Sequence, residues 1–488
     1  MHAMFLPTIR YLTIFILSVL FILSQSYGQN SKKAELTSEQ AIEDIEWLIG
    51  FMEDVHIDPW AIISKDSLQN AFNHVRQQIE SQGTISRSKF YTLILPAFHQ
   101  LKDIHISLFL PSKYNDYVKS RKYFILLKIR IVEDMLINID KKSNQLPFGA
   151  RILSINGFSD SLIISTFRAS SPSEGYNKFT KTRIVENSFA ELFPLLFQIE
   201  KENIIQYVPF DSDETQTVTI KGMKPARNFY KSVYNQKNLN YHEVILYDSL
   251  KAALIKIPSF SDDGPTAYDN YLRFAFSTIQ KAGTEHLILD FRGNEGGYAE
   301  RGEVLLSYLI AEETPYVTNI IFKKSKMADE IFNQQSMDSP LLKRMYVLSE
   351  LLKMKTRAYG TYDTVYYRHA QPHENAFHGK LYVLIDGMSI STTGLVCNSL
   401  RVHRGAVFIG EPGGFTSGGT FGQVIRFVLP NSRINGYMST IRFNSNNDFT
   451  VGTDPFLPDI QVFETQKDIV EENDPVLEQT LNIIRNKQ

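Results

Sequence analysis

Leu287-Ile-Leu-Asp-Phe-Arg-Gly-Asn-Glu-Gly-Gly297 is the stretch whose reading decides the fold. It opens in a short, continuous apolar run (His286–Asp290), the pattern of a strand buried on both faces. The glycines that follow let the backbone turn tightly and present N–H groups toward a ligand. The spacing is not GxGxxG, so a dinucleotide site is a poor reading. Runs of the same kind recur at Ala252–Ile257, Leu381–Asp386 and Ala406–Gly410. Helical patterns lie between them, from Ala267 to Ala282 closed by Gly283, and from Ala299 to Ala311. Strands alternating with helices predict an α/β layer with crossover connections. Asp474-Pro475 followed by Leu477, Leu481 and Ile484 supplies a capped helix at the C-terminus.

A second strand-to-helix junction is Leu384-Ile-Asp-Gly-Met-Ser-Ile-Ser-Thr-Thr-Gly394. A serine there sits where helix-terminal N–H groups and the dipole stabilise developing negative charge. Ser389, Ser391, Thr392 and Thr393 are equally the residue types that cap a helix. The segment lacks the GxSxG nucleophile elbow, which excludes the α/β-hydrolase reading.

Ahead of this layer the texture differs. Arg10 and the apolar run Tyr11 to Leu23, then the small-residue site Ser26-Tyr27-Gly28, form a secretory signal pattern over residues 1–28, with an uncleaved N-terminal anchor as the alternative. Thr37-Ser-Glu-Gln40 reads as a capping box, with Ile42, Ile45, Ile49 and Met52 at helical spacing. Further helical patterns cover roughly Lys65 to Ile79 and Ser86 to Leu101. From Ile125 the period becomes two, with a hairpin turn at Glu133-Asp134 and another turn at Asn156-Gly157.

Composition narrows the function classes. The 488 residues are 43% hydrophobic, a globular composition, and 51 basic against 53 acidic residues give a net charge of −2. That balance offers no general attraction to a phosphate backbone, so no nucleic-acid partner is expected. With a single cysteine, Cys397, no intrachain disulfide and no cysteine-rich zinc site can form. His369, His373 and His378 lack a completing carboxylate and have Pro372 among them, so they read as a surface loop. No metal and no cofactor is expected, and no apolar run beyond the signal is long enough to span a membrane.

Four features, in one order, resemble the S41 serine peptidases, the tail-specific or C-terminal processing proteases. Asp290-Phe-Arg-Gly-Asn-Glu-Gly-Gly297 looks like their Asp-Leu-Arg-x-Asn-x-Gly-Gly signature, and Ser389-Ile-Ser-Thr-Thr-Gly394 is similar to their nucleophile segment. Gly410-Glu-Pro-Gly-Gly414 matches a family loop, and Pro458-Asp459 with Asp474-Pro-Val-Leu477 resembles the family's C-terminal end. Pro147 to Gly157 also looks like a stretch of its PDZ-like domain. The resemblance implies an α/β (α+β multidomain) chain: an α/β protease core with a mixed sheet and crossover helices, an inserted PDZ-like β-rich domain and an N-terminal helical cap. The boundaries expected are 1–28 signal, 29–110 helical region ending in a core strand, 117–232 PDZ-like domain and 241–488 peptidase core.

The resemblance places the nucleophile on Ser391. Where many processing proteases carry a lysine about 25 residues later, this chain has Thr416, and no lysine occurs between Ser391 and Gln466. The tricorn-like members use a histidine ahead of the PDZ-like domain instead. Leu101-Lys-Asp-Ile-His-Ile-Ser107 occupies that place, so His105 is the expected base, on a strand beginning near Ile104. For the acidic member, Asp448 and Asp454 lie at the family's distance past the serine and Asp103 lies beside the histidine. Asp454 is the residue chosen. The family's glutamate there aligns with Gly452, and Gly394 replaces another three residues after the serine. Gly296, Gly297 and Thr392 are the expected oxyanion-hole donors. The implied function is an exported, periplasmic or extracellular serine endopeptidase acting on peptide or protein substrates. The alternatives are a catalytically inactive peptide-binding scaffold of the same fold and a small-molecule esterase. Specificity and oligomeric state are not written in the sequence.

Overall fold

The computed structural model describes residues 35–110, 123–141, 145–197, 199–223, 243–261, 265–336, 357–366, 369–445 and 451–486. The expected signal segment and Asp448 lie outside the described residues.

The core is a six-stranded mixed sheet in the order Val244–Tyr247, Ala252–Lys256, His286–Asp290, Lys380–Ile385, Val407–Gly410, Ile460–Gln461. Only the first pairing is antiparallel. The four apolar runs read from the sequence are the four central strands, which are buried on both faces, whereas the two edge strands are partly exposed. Leu287 and Leu289 point into one core with Tyr268, Leu272 and Phe276 of the crossover helix Pro265–Lys281. Ile288 points into the opposite core, which Val476 and Ile484 of the Pro475–Arg485 helix close. Period-two direction in a strand and two apolar faces therefore require a continuous apolar run. The helical pattern expected from Ala299 to Ala311 stops at Ser307.

A second, antiparallel sheet pairs Tyr362–Tyr366, Asn319–Lys323, Asn435–Asn444 and Gly419–Val428. Ser107–Phe109 joins it by pairing with Asn435–Asn444, in the register Ser107 opposite Tyr437. The N-terminal helices Ser38–Val55, Lys65–Glu80 and Arg87–Phe98 cover this sheet. Phe51 and Met52 share one cluster with Phe427 and Met438. Thr37 and Gln40 form the capping box read from the sequence. The strand expected from Ile104 begins instead at Ser107, because the Asp103 side chain takes the His105 N–H at 2.7 Å and holds a turn there.

A third unit lies between these parts in the chain. Its antiparallel sheet runs Ile129–Val132, Met135–Asn138, Arg151–Ile155, Glu202–Val208, Gln216–Lys221, with helices Asp160–Ala169 and Lys178–Leu196. Ile152, Phe167, Phe189 and Phe193 fill its own core. The expected Glu133-Asp134 turn is formed with φ of 51° and 60°.

One charged fork ties the two ends of the core region. Arg292 donates to both oxygens of Asp290, at 2.9 and 2.8 Å, and to both of Asp474, at 2.7 and 2.8 Å. Asp474 also caps the C-terminal helix by accepting the Leu477 N–H at 3.0 Å. Burial works against the Asp474 charge, but the Arg292 contacts outweigh it and hold the carboxyl below its ordinary range. Asp474→Ala is expected to cost about 1–2 kcal/mol, from the lost cap and a solvent-screened ion pair. Asp474→Asn, which still caps, is expected to lose less. Urea denaturation of the two variants checks this, and equal losses would place the whole effect in the charge.

Candidate active site

The His286–Asp290 and Lys380–Ile385 strands are parallel neighbours, so the glycine turn after one and the serine turn after the other emerge side by side. The two turns are sewn together. Asp386 Oδ1 accepts the Gly293 N–H at 3.0 Å, and Ile390 N–H bonds the Asn294 carbonyl at 3.1 Å. The Thr392 hydroxyl donates to the Gly297 carbonyl at 2.8 Å and the Thr393 hydroxyl to that of Asn294 at 3.1 Å. Ser389 is buried, with its hydroxyl donating to the Phe291 carbonyl at 2.9 Å. Of the four hydroxyls read as alternative helix caps, three thus brace the neighbouring turn. The fourth, Ser391, makes no capping bond.

Ser391 stands at the N-cap of the Thr392–Arg404 helix with φ 58° and ψ −125°. A non-glycine residue is strained in that region, and the paired turns supply the restraint that keeps it there. Gly296 makes the approach possible. A Cβ on it would fall 2.7 Å from Ser391 Cβ and 2.9 Å from the Thr392 nitrogen, and its φ is 90°. Its N–H is already donated to Asn294 Oδ1 at 2.9 Å, so Gly296 is a spacer here rather than the expected oxyanion donor. None of the described hydrogen bonds takes the Gly297 N–H. Thr392 opens its helix, where an N–H has no intrahelical acceptor.

His105 reaches this serine from the turn before the Ser107–Phe109 strand. Its Nε2 lies 3.0 Å from Ser391 Oγ. Its Nδ1 faces Asp103 Oδ1 at 3.5 Å, and the same oxygen accepts the His105 N–H at 2.7 Å. The other Asp103 oxygen takes the Ser439 hydroxyl at 2.6 Å and lies 3.1 Å from His56 Nε2. Asp103 is fully buried. Burial alone would raise its pKa, yet the hydrogen bonds from His105 and His56 prevail and hold the carboxyl well below the usual range.

Asp454 does not join this group. It is exposed, and no described hydrogen bond or ion pair joins it to His105. The carboxylate that faces the imidazole is Asp103, fixed by the turn three residues long that also presents His105. Thr416, where a lysine base was excluded, is buried with its hydroxyl donating to the Gly419 carbonyl at 3.3 Å. His56 and Glu174 carry no spacing signal that marks them in the sequence. Asp103, His105 and Glu174 have donor atoms within 4.8 Å of one another, a His–carboxylate set with metal-ligand chemistry, but three hydrogen bonds already occupy the Asp103 oxygens.

Glu174 comes from the third unit, 1% exposed, with acceptor contacts of 3.5 Å to the Ile104 N–H and the Thr420 hydroxyl. Burial first, and the Asp103 charge second, push its carboxyl well above the usual range. The folded state therefore holds this proton more tightly than the unfolded chain. Its contribution to stability is present below the ordinary carboxyl range and is lost as pH rises above it. Glu174→Gln keeps the shape without ionising. Its Tm advantage over the wild type is expected to grow between about pH 5 and 8; a pH-independent difference in thermal melts would contradict this.

Residues 251–462 match the model of peptidase family S41. No curated protein sequence matches the chain. Among solved structures, mature CPAF is 14% identical with a TM-score of 0.63, covering 92% of this chain and 98% of its own. A serine-to-alanine variant of CPAF gives 13% and 0.65, covering 89% and 95%. CPAF complexed with lactacystin gives 13% and 0.62, covering 92% and 99%. These likenesses are likenesses of fold, and they extend over most of both chains. The matched residues 251–462 carry five of the six core strands and both of the paired turns, so this part of the chain is similar to the serine-type peptidases of family S41.

Proposed function

We propose that the chain is an exported endopeptidase in which Ser391 is the nucleophile, His105 the general base and then acid, and Asp103 the residue that orients the imidazole. The observation that carries the reading is the 3.0 Å contact between Ser391 Oγ and His105 Nε2. A serine hydroxyl becomes a nucleophile at neutral pH only beside a base, and this base has its own carboxylate behind it.

In the proposed reaction Ser391 Oγ bonds to the scissile carbonyl carbon while its proton passes to His105 Nε2. The carbonyl oxygen takes up the negative charge between the N–H groups of Gly297 and Thr392, aided by the helix N-terminus. Collapse of the tetrahedral intermediate breaks the C–N bond, and His105 returns the proton to the leaving amine. Water, giving its proton to His105, then cleaves the acyl ester and frees Ser391. Export is supported by the apolar run Tyr11 to Leu23, and a PDZ-like role for the third unit by the Pro147 to Gly157 stretch. The scaffold reading drew on Gly394 in place of a family glutamate. Any Cβ at Gly394 would fall 2.5 Å from the Phe415 ring, so packing alone accounts for that glycine.

Ser391→Ala is expected to abolish labelling by a fluorophosphonate probe. Asp103→Asn is expected to slow it about a thousandfold or more, as loss of the orienting carboxylate does in a triad, whereas Asp454→Asn leaves it unchanged. A variant pattern in which Asp454 matters and Asp103 does not would move the acidic role. His105→Ala is expected to slow labelling at least as much as Asp103→Asn does, because a neutral imidazole is what accepts the serine proton. A His105→Ala variant that labels at the wild-type rate would remove histidine from the base role.

A further inference from the structure

His56 is a buried residue beside the site whose chemistry the reaction above does not use. It follows the Ser38–Val55 helix as its C-cap and is 1% exposed. Two contacts fix its tautomer. Its Nδ1 accepts the Asp58 backbone N–H at 3.2 Å, so that nitrogen carries no proton. The ring proton therefore sits on Nε2, 3.1 Å from Asp103 Oδ2. The ring packs on Phe421 at 4.9 Å between centroids, and Lys323 Nζ anchors the backbone by donating to the His56 carbonyl at 3.2 Å.

We infer that His56 is a positioning residue of the active site, a neutral donor that locks the Asp103 carboxylate so that its other oxygen faces His105. The inference rests on the proposed roles of Asp103, His105 and Ser391. A buried carboxylate needs donors to stay ionised. A cation in this place would neutralise the charge that His105 uses as it becomes imidazolium. A neutral imidazole supplies the hydrogen bond and leaves the charge in place, and the Ser439 hydroxyl on the same oxygen does likewise. The arrangement also makes the N-terminal helical unit part of the catalytic assembly, because its first helix ends on the residue that holds the acid.

Among the described residues, the titratable and charged groups around the pair are His56 from the first helix, Glu174 from the third unit and Tyr437 from the second sheet, with Lys323 on the His56 carbonyl, Arg442 acting on Glu174, and Glu295 and Arg426 on Tyr437. Replacing His56 leaves the others in place, so a change in the pH profile reports the Asp103–His105 pair.

The test compares His56→Phe, which keeps the ring and its packing on Phe421 without a donor, with His56→Gln, whose amide can donate from nearly the position of Nε2. The readout is the second-order rate of fluorophosphonate labelling from pH 5 to 9 in the full-length protein, with thermal melts to confirm folding. His56→Phe is expected to label about 10- to 100-fold more slowly, the size of effect that a small misplacement of a reacting group produces. Its acid limb is expected to move to lower pH, because an imidazole with a less fixed carboxylate loses its proton more readily. His56→Gln is expected to restore most of the rate and the wild-type limb. A folded His56→Phe with wild-type rate and limb overturns the inference. So does an equal slowing of both variants with the limb unmoved, which marks a purely structural effect. Labelling that survives Ser391→Ala overturns the catalytic reading itself, independently of His56.

Discussion

The contact between Ser391 and His105 joins residues 286 positions apart, and the rest of the structure is arranged around making it. Neither partner can reach the other by local geometry. The serine is delivered by the core sheet, whose parallel pairing sets two turns side by side and clamps Ser391 in a positive-φ conformation. The histidine is delivered by the second sheet, where Ser107 pairs with Tyr437 and Ser439 reaches back to Asp103. The site therefore exists only where the two sheets are docked.

The third unit is bound into the same junction. Gly175 N–H bonds the Lys102 carbonyl at 2.9 Å and Tyr176 N–H that of Thr453 at 2.8 Å. Asn177 donates to the Gly413 carbonyl at 2.7 Å, and Arg183 pairs with Glu411 on the same loop. One short segment thus touches the histidine turn, the loop that carries Asp454 and the glycine loop after the serine helix. Gly175 sits where a Cβ would lie 2.2 Å from the Thr453 carbonyl oxygen, so the close approach depends on its being glycine. A substrate that shifts this segment would act on His105 directly, which gives the unit a physical route to the chemistry.

Much of this was legible in the sequence because it is local. Continuous apolar runs marked the four central strands, the capping box marked the first helix, and Asp474-Pro475 marked the last. That Ser391 and His105 lie together was legible through a resemblance in motif order, which encodes topology without showing it. The carboxylate that faces the imidazole was not, because Asp454 was placed by a fixed distance past the serine, whereas the imidazole is met by a carboxylate two residues before it in the chain. The signal for Asp103 was the Asp-Ile-His spacing itself, which suits a side chain closing a turn on the N–H two residues on. His56 and Glu174 were beyond reach, since each is brought in by packing between units that no periodicity records. The strand start also moved, from Ile104 to Ser107, for the same reason: a side-chain hydrogen bond took the backbone donor a strand would have used.

The central claim is that Ser391 and His105 act together against a carbonyl seated between Gly297 and Thr392. A crystal structure of the protein after reaction with a fluorophosphonate tests it most directly. The account requires phosphorus bonded to Ser391 Oγ, the phosphoryl oxygen within hydrogen-bond reach of the Gly297 and Thr392 N–H groups, and His105 Nε2 on the opposite side. An adduct on another residue, or on Ser391 with that oxygen turned away from both N–H groups, would contradict it.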